Sequence, residues 1–376
     1  VLWTVRVGER ATTVARDGTA VYTFDLEGRP VSWWEAERTY KRSLASEVHE
    51  TRRIHGRTIR TLSEIEAAER FEKIVDRARK ARNAVDDEEA WKRLDRILEW
   101  TPESLLEEGE RFAAAYSPIA ILPPDQYLAI VLQATFGCTW NRCTFCTFYQ
   151  DRPFRLRSEE EFAEHAWKVS EFLGRGAALR PSVFLADGNA LALSTERLLP
   201  ILRVARDTFP ERPVAGFVDV FTGARKSVRE WRHLREEGLA RVHLGIETGH
   251  DPLLEWMDKP SRSEEAVGMV RELKAAGLEV APIFLVGPGG EHFADSHVLD
   301  TLRIVRDFPL GLGDRVYLSP FVPHAESEYE ARSRRDGIAP LAPDALEAQY
   351  GLLRDGVLAT HPEVKVARYD LREFLY

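Results

Sequence analysis

The stretch YLAIVLQATFGCTWNRCTFC, residues 127–146, runs from a β-rich apolar segment straight into a loop that carries every cysteine of the chain. Cys138, Cys143 and Cys146 are spaced C-x4-C-x2-C. An odd number of thiols packed into one short loop of a long chain is not a disulfide framework. The spacing leaves three readings: incidental loop thiols, a zinc site, or an iron–sulfur cluster. Structural zinc takes four closed ligands, and the next histidine downstream is the distant His165. Three thiolates hold three irons of a cubane cluster and leave the fourth open; the chain has no fourth cysteine to close it. A cubane is therefore the best fit of the three.

Beyond this loop the text alternates. Short β-rich runs at 127–134, 183–186, 213–219, 240–246, 278–286 and 315–322 are separated by helical stretches at 158–173, 195–207, 226–237, 263–276 and 295–308. Such alternation indicates a parallel α/β sheet. A complete eight-unit barrel takes about 250 residues, so residues 123–325 predict a partial (β/α)6 TIM-like barrel. In barrels of this kind chemistry gathers at the carboxyl ends of the strands, where Cys138 falls. Residues 1–122 read as an accessory region, with short β segments near Leu2–Val7 and Val21–Phe24 and then charged helices over 33–82 and 86–100. Residues 326–376 read as a helical extension.

Composition bounds the rest. The chain has 376 residues, 44% hydrophobic and 30% charged, with 52 basic and 61 acidic side chains for a net charge of −9. That is the balance of a globular enzyme, neither disordered nor a bulk binder of nucleic acid. No apolar run reaches the ~20 residues that span a bilayer, and no basic-then-apolar leader opens the sequence, so the cytoplasm is the expected location. Basic residues thicken at Arg38, Lys41, Arg42, Arg52, Arg53, Arg57 and Arg60, against Glu47 and Glu50. A solvated helix face is favoured there over a nucleic-acid surface.

Taken together, Gly137–Cys146 and three further segments resemble the radical S-adenosylmethionine (radical SAM) superfamily, within its large Elp3/MiaB/NifB-like group. The family's commonest spacing is C-x3-C-x2-C, one residue shorter than here. Ala186-Asp187-Gly188-Asn189, at the end of the second strand, is similar to the family motif that grips the methionine amine. A βα turn with a helix-capping Asn or Asp is the other reading. Leu244-Gly245-Ile246-Glu247-Thr248-Gly249, followed by Met257, Asp258 and Lys259, is similar to the family's fourth-strand stretch, where Glu247 faces the ribose hydroxyls. Without such a partner a buried Glu247 requires a nearby Arg or Lys. Gly287-Pro288-Gly289-Gly290-Glu291 is similar to the adenine-side signature, and Phe145 corresponds to an aromatic beside adenine.

The resemblance implies a [4Fe-4S] cluster on the three cysteines and S-adenosylmethionine bound by Phe145, Asp187, Gly188, Asn189, Gly245, Glu247, Gly287 and Gly289. It implies an oxygen-sensitive enzyme that cleaves S-adenosylmethionine reductively to a 5′-deoxyadenosyl radical, which takes hydrogen from a small-molecule or natural-product substrate. The same chemistry on tRNA or a peptide, and a non-catalytic metal-binding protein, are the alternatives. A flavodoxin or ferredoxin would supply the electron, with Arg142, Arg152, Arg155 and Arg157 as a docking patch or, equally, a solvated face paired with Glu159–Glu161. His243, Tyr317, Ser319 and His324 are candidates for the substrate cavity. No residue is assigned to catalysis.

Overall fold

The computed structural model describes residues 2–52 and 58–376. An antiparallel meander comes first. β1 (Trp3–Val7), β2 (Thr12–Arg16), β3 (Ala20–Phe24), β4 (Pro30–Glu35), β5 (Arg38–Arg42), β6 (Val48–Arg52) and β7 (Thr58–Thr61) each pair with the next in one sheet. This corrects the expectation of a mostly helical accessory region. Helix begins only after Ser63, whose hydroxyl and the carboxylate of Glu66 form a capping box at the head of α1 (Glu64–Ala84).

Of the charges that read as one helix face, Arg38, Lys41 and Arg42 lie on β5, Glu50 and Arg52 on β6, and Arg60 on β7. Arg38, Arg52 and Arg60 converge on the buried carboxylate of Glu50 at 3.3, 2.7 and 3.9 Å, and the Tyr40 hydroxyl donates to it at 3.0 Å. Arg42 donates to the Ser46 hydroxyl at 2.8 Å. Arg53 and Arg57 lie outside the described residues. One face of the meander is covered by α1, α2 (Glu88–Leu98) and α3 (Pro102–Ala115). Trp33 stacks on Tyr40 at 5.1 Å there, with Phe71 edge-on at 6.5 Å.

The second unit is the expected βα alternation. After β8 (Ile130–Gln133), β9 (Thr135–Phe136) and β10 (Arg155–Leu156) come α4 (Glu159–Leu173), β11 (Val183–Ala186), α5 (Thr195–Thr208) and β12 (Val214–Asp219). Then follow α6 (Val220–Gly223), α7 (Val228–Glu236), β13 (Leu239–Glu247), α8 (Asp251–Trp256), α9 (Ser263–Ala275), β14 (Glu279–Val286), α10 (Gly290–Arg306) and β15 (Arg315–Pro320). The chain closes with α11 (Glu328–Arg335), α12 (Pro343–Thr360) and β16 (Lys365–Arg368). The parallel sheet has the order β16-β15-β14-β13-β12-β11-β8. It has one strand more than expected: β16 is a four-residue, half-exposed edge, too short and too polar to show a strand period.

The sheet curls. Asp125, just ahead of β8, reaches Arg241 at 2.7 Å and His243 at 3.1 Å on β13, and Arg315 at 3.6 Å on β15. A residue at the root of one edge strand meets distant strands only if the sheet bends round its own interior. Despite burial, the hydrogen bond from His243 holds the Asp125 carboxyl well below the usual carboxylate range. The His243 ring is enclosed by Phe184, Phe217 and Tyr317 at 5.6, 5.9 and 6.3 Å. These groups fill the barrel floor.

Two contacts lock the units together. Arg29, buried in the first unit, binds Asp25 at 2.8 Å and Glu108 at 2.9 Å, and donates to the carbonyls of Phe172 and Leu173 at the end of α4. His165 on α4 accepts from the Gln133 amide at 2.9 Å and faces the Ala115 carbonyl at 3.1 Å. Burial pushes His165 down to about 3 and His297, likewise enclosed, to about 4. Both are neutral when folded and take up protons on unfolding below their ordinary value of about 6.5. Their contribution to stability is therefore complete above about pH 6.5 and declines as pH falls toward the folded values, by up to ~1.4 kcal/mol per pH unit for each. The denaturation midpoint of His165→Asn should fall less steeply than wild type between pH 6.5 and 4.5; parallel slopes would contradict this.

Candidate active site

The cysteine loop leaves β9 and returns on β10, and the two strands close its base through the pairs Thr135 with Leu156 and Phe136 with Arg155. Gly137 permits the exit: its φ is +71°, and a β-carbon there would stand 3.2 Å from the Pro153 carbonyl. Inside the loop, Cys146 N–H donates to the Cys143 carbonyl at 3.1 Å, and the Asn141 amide donates to the Tyr149 carbonyl at 2.7 Å. From outside, Thr144 N–H bonds the Met257 carbonyl at 3.0 Å and the Trp140 indole bonds the Asp258 carbonyl at 2.9 Å. The Tyr329 amide of α11 donates to the Thr144 carbonyl at 3.2 Å. A loop pinned from α8 and α11 holds its thiols in fixed directions.

All three cysteines face a cavity of about 500 Å³ at the carboxyl ends of the strands, a size usual for small-molecule sites. Phe145, Gly188, Gly245 and Glu247 also line it, as do Ser319 and His324. Tyr317 and His243 do not; they belong to the floor below. Among the described residues, no three His, Cys, Asp or Glu side chains converge to hold a single ion. The thiols share the wall of one cavity. Burial pushes all three up, Cys146 to about 11, so as ligands they need a cationic centre to draw off their protons. Three thiols on one cavity wall, with no fourth cysteine, fit a cluster with one open corner.

Beside the thiols lies a buried charge cluster. Lys259 Nζ is 3.1 Å from Glu247 Oε1 and 3.2 Å from Asp219 Oδ1. Against burial, which alone would lower it, the carboxylates of Asp219 and Glu247 hold the Lys259 ammonium well above its ordinary value. Glu247 sits where the pairing of β13 with β14 slips by one residue, in the left-handed region at φ +68°. Such a bulge re-aims side chains at a strand end. Gly245 belongs to the same device: a β-carbon there would lie 2.8 Å from the Glu247 carboxylate.

The remaining expected residues are placed differently. Asp187 is buried behind the cavity wall; its Oδ2 has no hydrogen-bond partner among the described residues, and Arg152 stands 3.6 Å away. Burial raises this carboxyl to about 6. Gly188 makes room for the Tyr149 ring, whose edge a β-carbon would meet at 2.5 Å. Asn189 is fully engaged. Its amide donates to Thr139, Asp219 and Thr222 at 2.9, 2.8 and 3.1 Å, and its oxygen accepts from Asp219 N–H at 3.0 Å. It fastens the cysteine loop to two strand ends. The amides of Gly287 and Gly289 already donate to Gln349 at 2.6 Å and Tyr329 at 2.7 Å, away from the cavity. Phe145 meets Phe321 edge-on at 6.4 Å.

Of the loop arginines, Arg155 pairs with Glu161 and Arg152 with Asp151, both at 2.9 Å, and Arg157 donates to the Gln133 carbonyl at 2.8 Å. Arg142 is exposed and lies over the Trp140 ring at 5.4 Å. Sequence reasoning gave no role to Asp219, Lys259 or Tyr369. An acidic residue closing the apolar strand VAGFVD was the available signal for Asp219. Tyr369 lines the cavity, and its buried hydroxyl has no partner among the described residues.

A family model described as the radical SAM superfamily matches residues 132–304. No curated protein matches the chain in sequence. Among solved structures it is similar to the cobalamin-dependent S-adenosylmethionine radical enzyme OxsB, at 16% identity and TM-score 0.42, over 61% of this chain and 32% of that one. It is also similar to coproporphyrinogen III oxidase (HemN) from Escherichia coli, at 15% identity and TM-score 0.45, over 67% and 55% of the two chains. Methylornithine synthase (PylB) aligns at 15% identity and TM-score 0.41, over 78% and 81%. The chain thus spans about a third of OxsB and just over half of HemN. No helix among the described residues is long and apolar enough to cross a membrane.

Removing Lys259 would strand the buried carboxylate of Glu247 and the part-buried one of Asp219, whereas Glu247→Gln leaves a neutral acceptor in place. Lys259→Ala should cost several kcal/mol, about 3 or more, in urea unfolding of the metal-free protein, and Glu247→Gln distinctly less. Equal, small losses in both would show that the cluster is not a buried ion network.

Proposed function

We propose, for a chain that carries a radical SAM superfamily domain over residues 132–304, that the cavity holds a [4Fe-4S] cluster and S-adenosylmethionine and acts on a small organic molecule. The observation that carries this reading is the three thiols, on one braced loop, facing one cavity at the carboxyl ends of a curled parallel sheet. Cys138, Cys143 and Cys146 would hold the cluster as thiolates. When bound, that pair of cofactors supplies one-electron cleavage of a carbon–sulfur bond and a 5′-deoxyadenosyl radical that takes hydrogen from a substrate.

The chain's own residues orient and shield. Phe145 and Gly188 would wall the cofactor on either side, Gly188 by letting Tyr149 approach. Asp187, whose buried Oδ2 makes no hydrogen bond among the described residues and stands 3.6 Å from the Arg152 guanidinium, would offer its carboxylate to an ammonium group at the cavity wall. Gly245 and Glu247 present a carboxylate whose second oxygen is left over from the Lys259 contact, suited to vicinal hydroxyls. Asn189, Gly287 and Gly289, their polar groups already bonded to the chain, would support the site by holding the loop and strand ends in place. An external one-electron donor is required, and a flavodoxin or ferredoxin suits it, docking at the loop that bears the exposed Arg142.

Anaerobic reconstitution should load about four irons per chain, and dithionite with S-adenosylmethionine should then yield 5′-deoxyadenosine. Cys143→Ala should abolish both while leaving the fold intact by circular dichroism, because the loop lies outside the strand core. One stoichiometric zinc and no S-adenosylmethionine binding would overturn the proposal.

A further inference from the structure

The parallel sheet is open: β8 and β16 are its two edges and do not pair with each other. The segment that follows β16 crosses this split. It starts from the β15 side, where Tyr369 N–H donates to the Leu318 carbonyl at 2.9 Å. Tyr369, Asp370, Leu371 and Arg372 then line the cavity. Phe374 packs on Tyr127, with ring centroids 5.9 Å apart.

The segment reaches the far edge at Tyr376. The buried Tyr376 hydroxyl accepts from Val131 N–H at 2.9 Å and donates to the Ala129 carbonyl at 3.0 Å. Ile130 and Ala134 turn their amides to the β11 side, bonding the carbonyls of Ser182 and Ala186. Val131 N–H therefore points to the unpaired edge of β8, where the phenol takes the place of a neighbouring strand. The seat is built for it: Arg180 lies over the Tyr376 ring at 5.1 Å, and Tyr116 meets it edge-on at 6.0 Å. A loose tail would have no such pocket.

We infer that residues 369–376 are the side wall of the cavity and Tyr376 its clasp, so that this segment sets the size of substrate the site admits. With the clasp shut, the cavity admits a small organic molecule through the strand-end mouth, and a polymer strand cannot enter across the split. This deepens the proposed function by naming the element that limits its substrate class. The geometry of the wall is independent of the cofactor reading.

The three loop cysteines are the only thiols in the chain, so alkylation of the metal-free, reduced protein reports on this cavity alone. N-ethylmaleimide and a maleimide carried on a globular protein of antibody-fragment size are the two probes, each rate normalised to that with free glutathione. Wild type should react with the small reagent and at least about tenfold more slowly with the large one. Tyr376→Phe keeps the ring in its seat and loses the hydroxyl's three hydrogen-bond contacts, with Val131, Ala129 and Tyr116, each worth a several-fold factor in the opening equilibrium. It should raise the large reagent's rate several-fold and leave the small reagent's rate unchanged. Tyr376→Ala, where it folds, should go further. A wild-type ratio near one, or a ratio unchanged in Tyr376→Phe, overturns the inference. Failure of the cofactor reading would appear separately, as absent iron and no S-adenosylmethionine binding.

Discussion

The active end of this protein is organised around a buried ammonium. Lys259 arrives from the segment after α8, Asp219 from the end of β12 and Glu247 from the end of β13, and on the cavity wall the ammonium lies 3.1 Å from Glu247 and 3.2 Å from Asp219. Desolvating three ions is costly, and the cost is offset only while all three stay in register. The same constraint fixes the cysteine loop, since Met257 and Asp258, just ahead of Lys259, hold Thr144 and Trp140 through their carbonyls. Lys259 thus ties together two strand ends and the loop that bears the thiols. A positive charge beside the three cysteines also favours their thiolate form, which burial alone opposes.

A second polar cluster does comparable work at the opposite end. Asp125, Arg241, His243 and Arg315 join the root of the first strand to the fourth and sixth, and the aromatic rings of Phe184, Phe217 and Tyr317 fill the space above. The cavity lies between these two clusters, floored by one and flanked by the other. Its remaining side is not a strand at all. It is the segment after β16, clipped across the split by a phenol.

Much of the barrel was legible in the sequence because each strand from Val183 to Pro320 is a short apolar run with a helix after it, and buried parallel strands have no polar face to blur the pattern. The cysteine loop was legible because thiols are rare and these are clustered. The amino-terminal meander was not. Its strands carry Arg38, Arg52 and Arg60 around a buried Glu50, and a charge buried by cross-strand partners has the composition of a solvated helix until the partners are known. Asn189 was read as a ligand-binding acceptor, and its fastening of the cysteine loop to Asp219 and Thr222 could not be read from sequence because those partners lie on other elements. The tail was opaque for another reason. Tyr376 acts on Val131 and Ala129, and no local pattern connects residues so far apart.

The central claim is that three thiolates hold a cluster whose open iron takes S-adenosylmethionine in this cavity. Electron paramagnetic resonance of the dithionite-reduced, reconstituted protein tests it most directly, recorded with and without S-adenosylmethionine. The account predicts a reduced [4Fe-4S] signal whose g-values shift when S-adenosylmethionine is added and are unmoved by methionine-free 5′-deoxyadenosine. A cluster signal that S-adenosylmethionine leaves unchanged, or no cluster signal after full reconstitution, would contradict it.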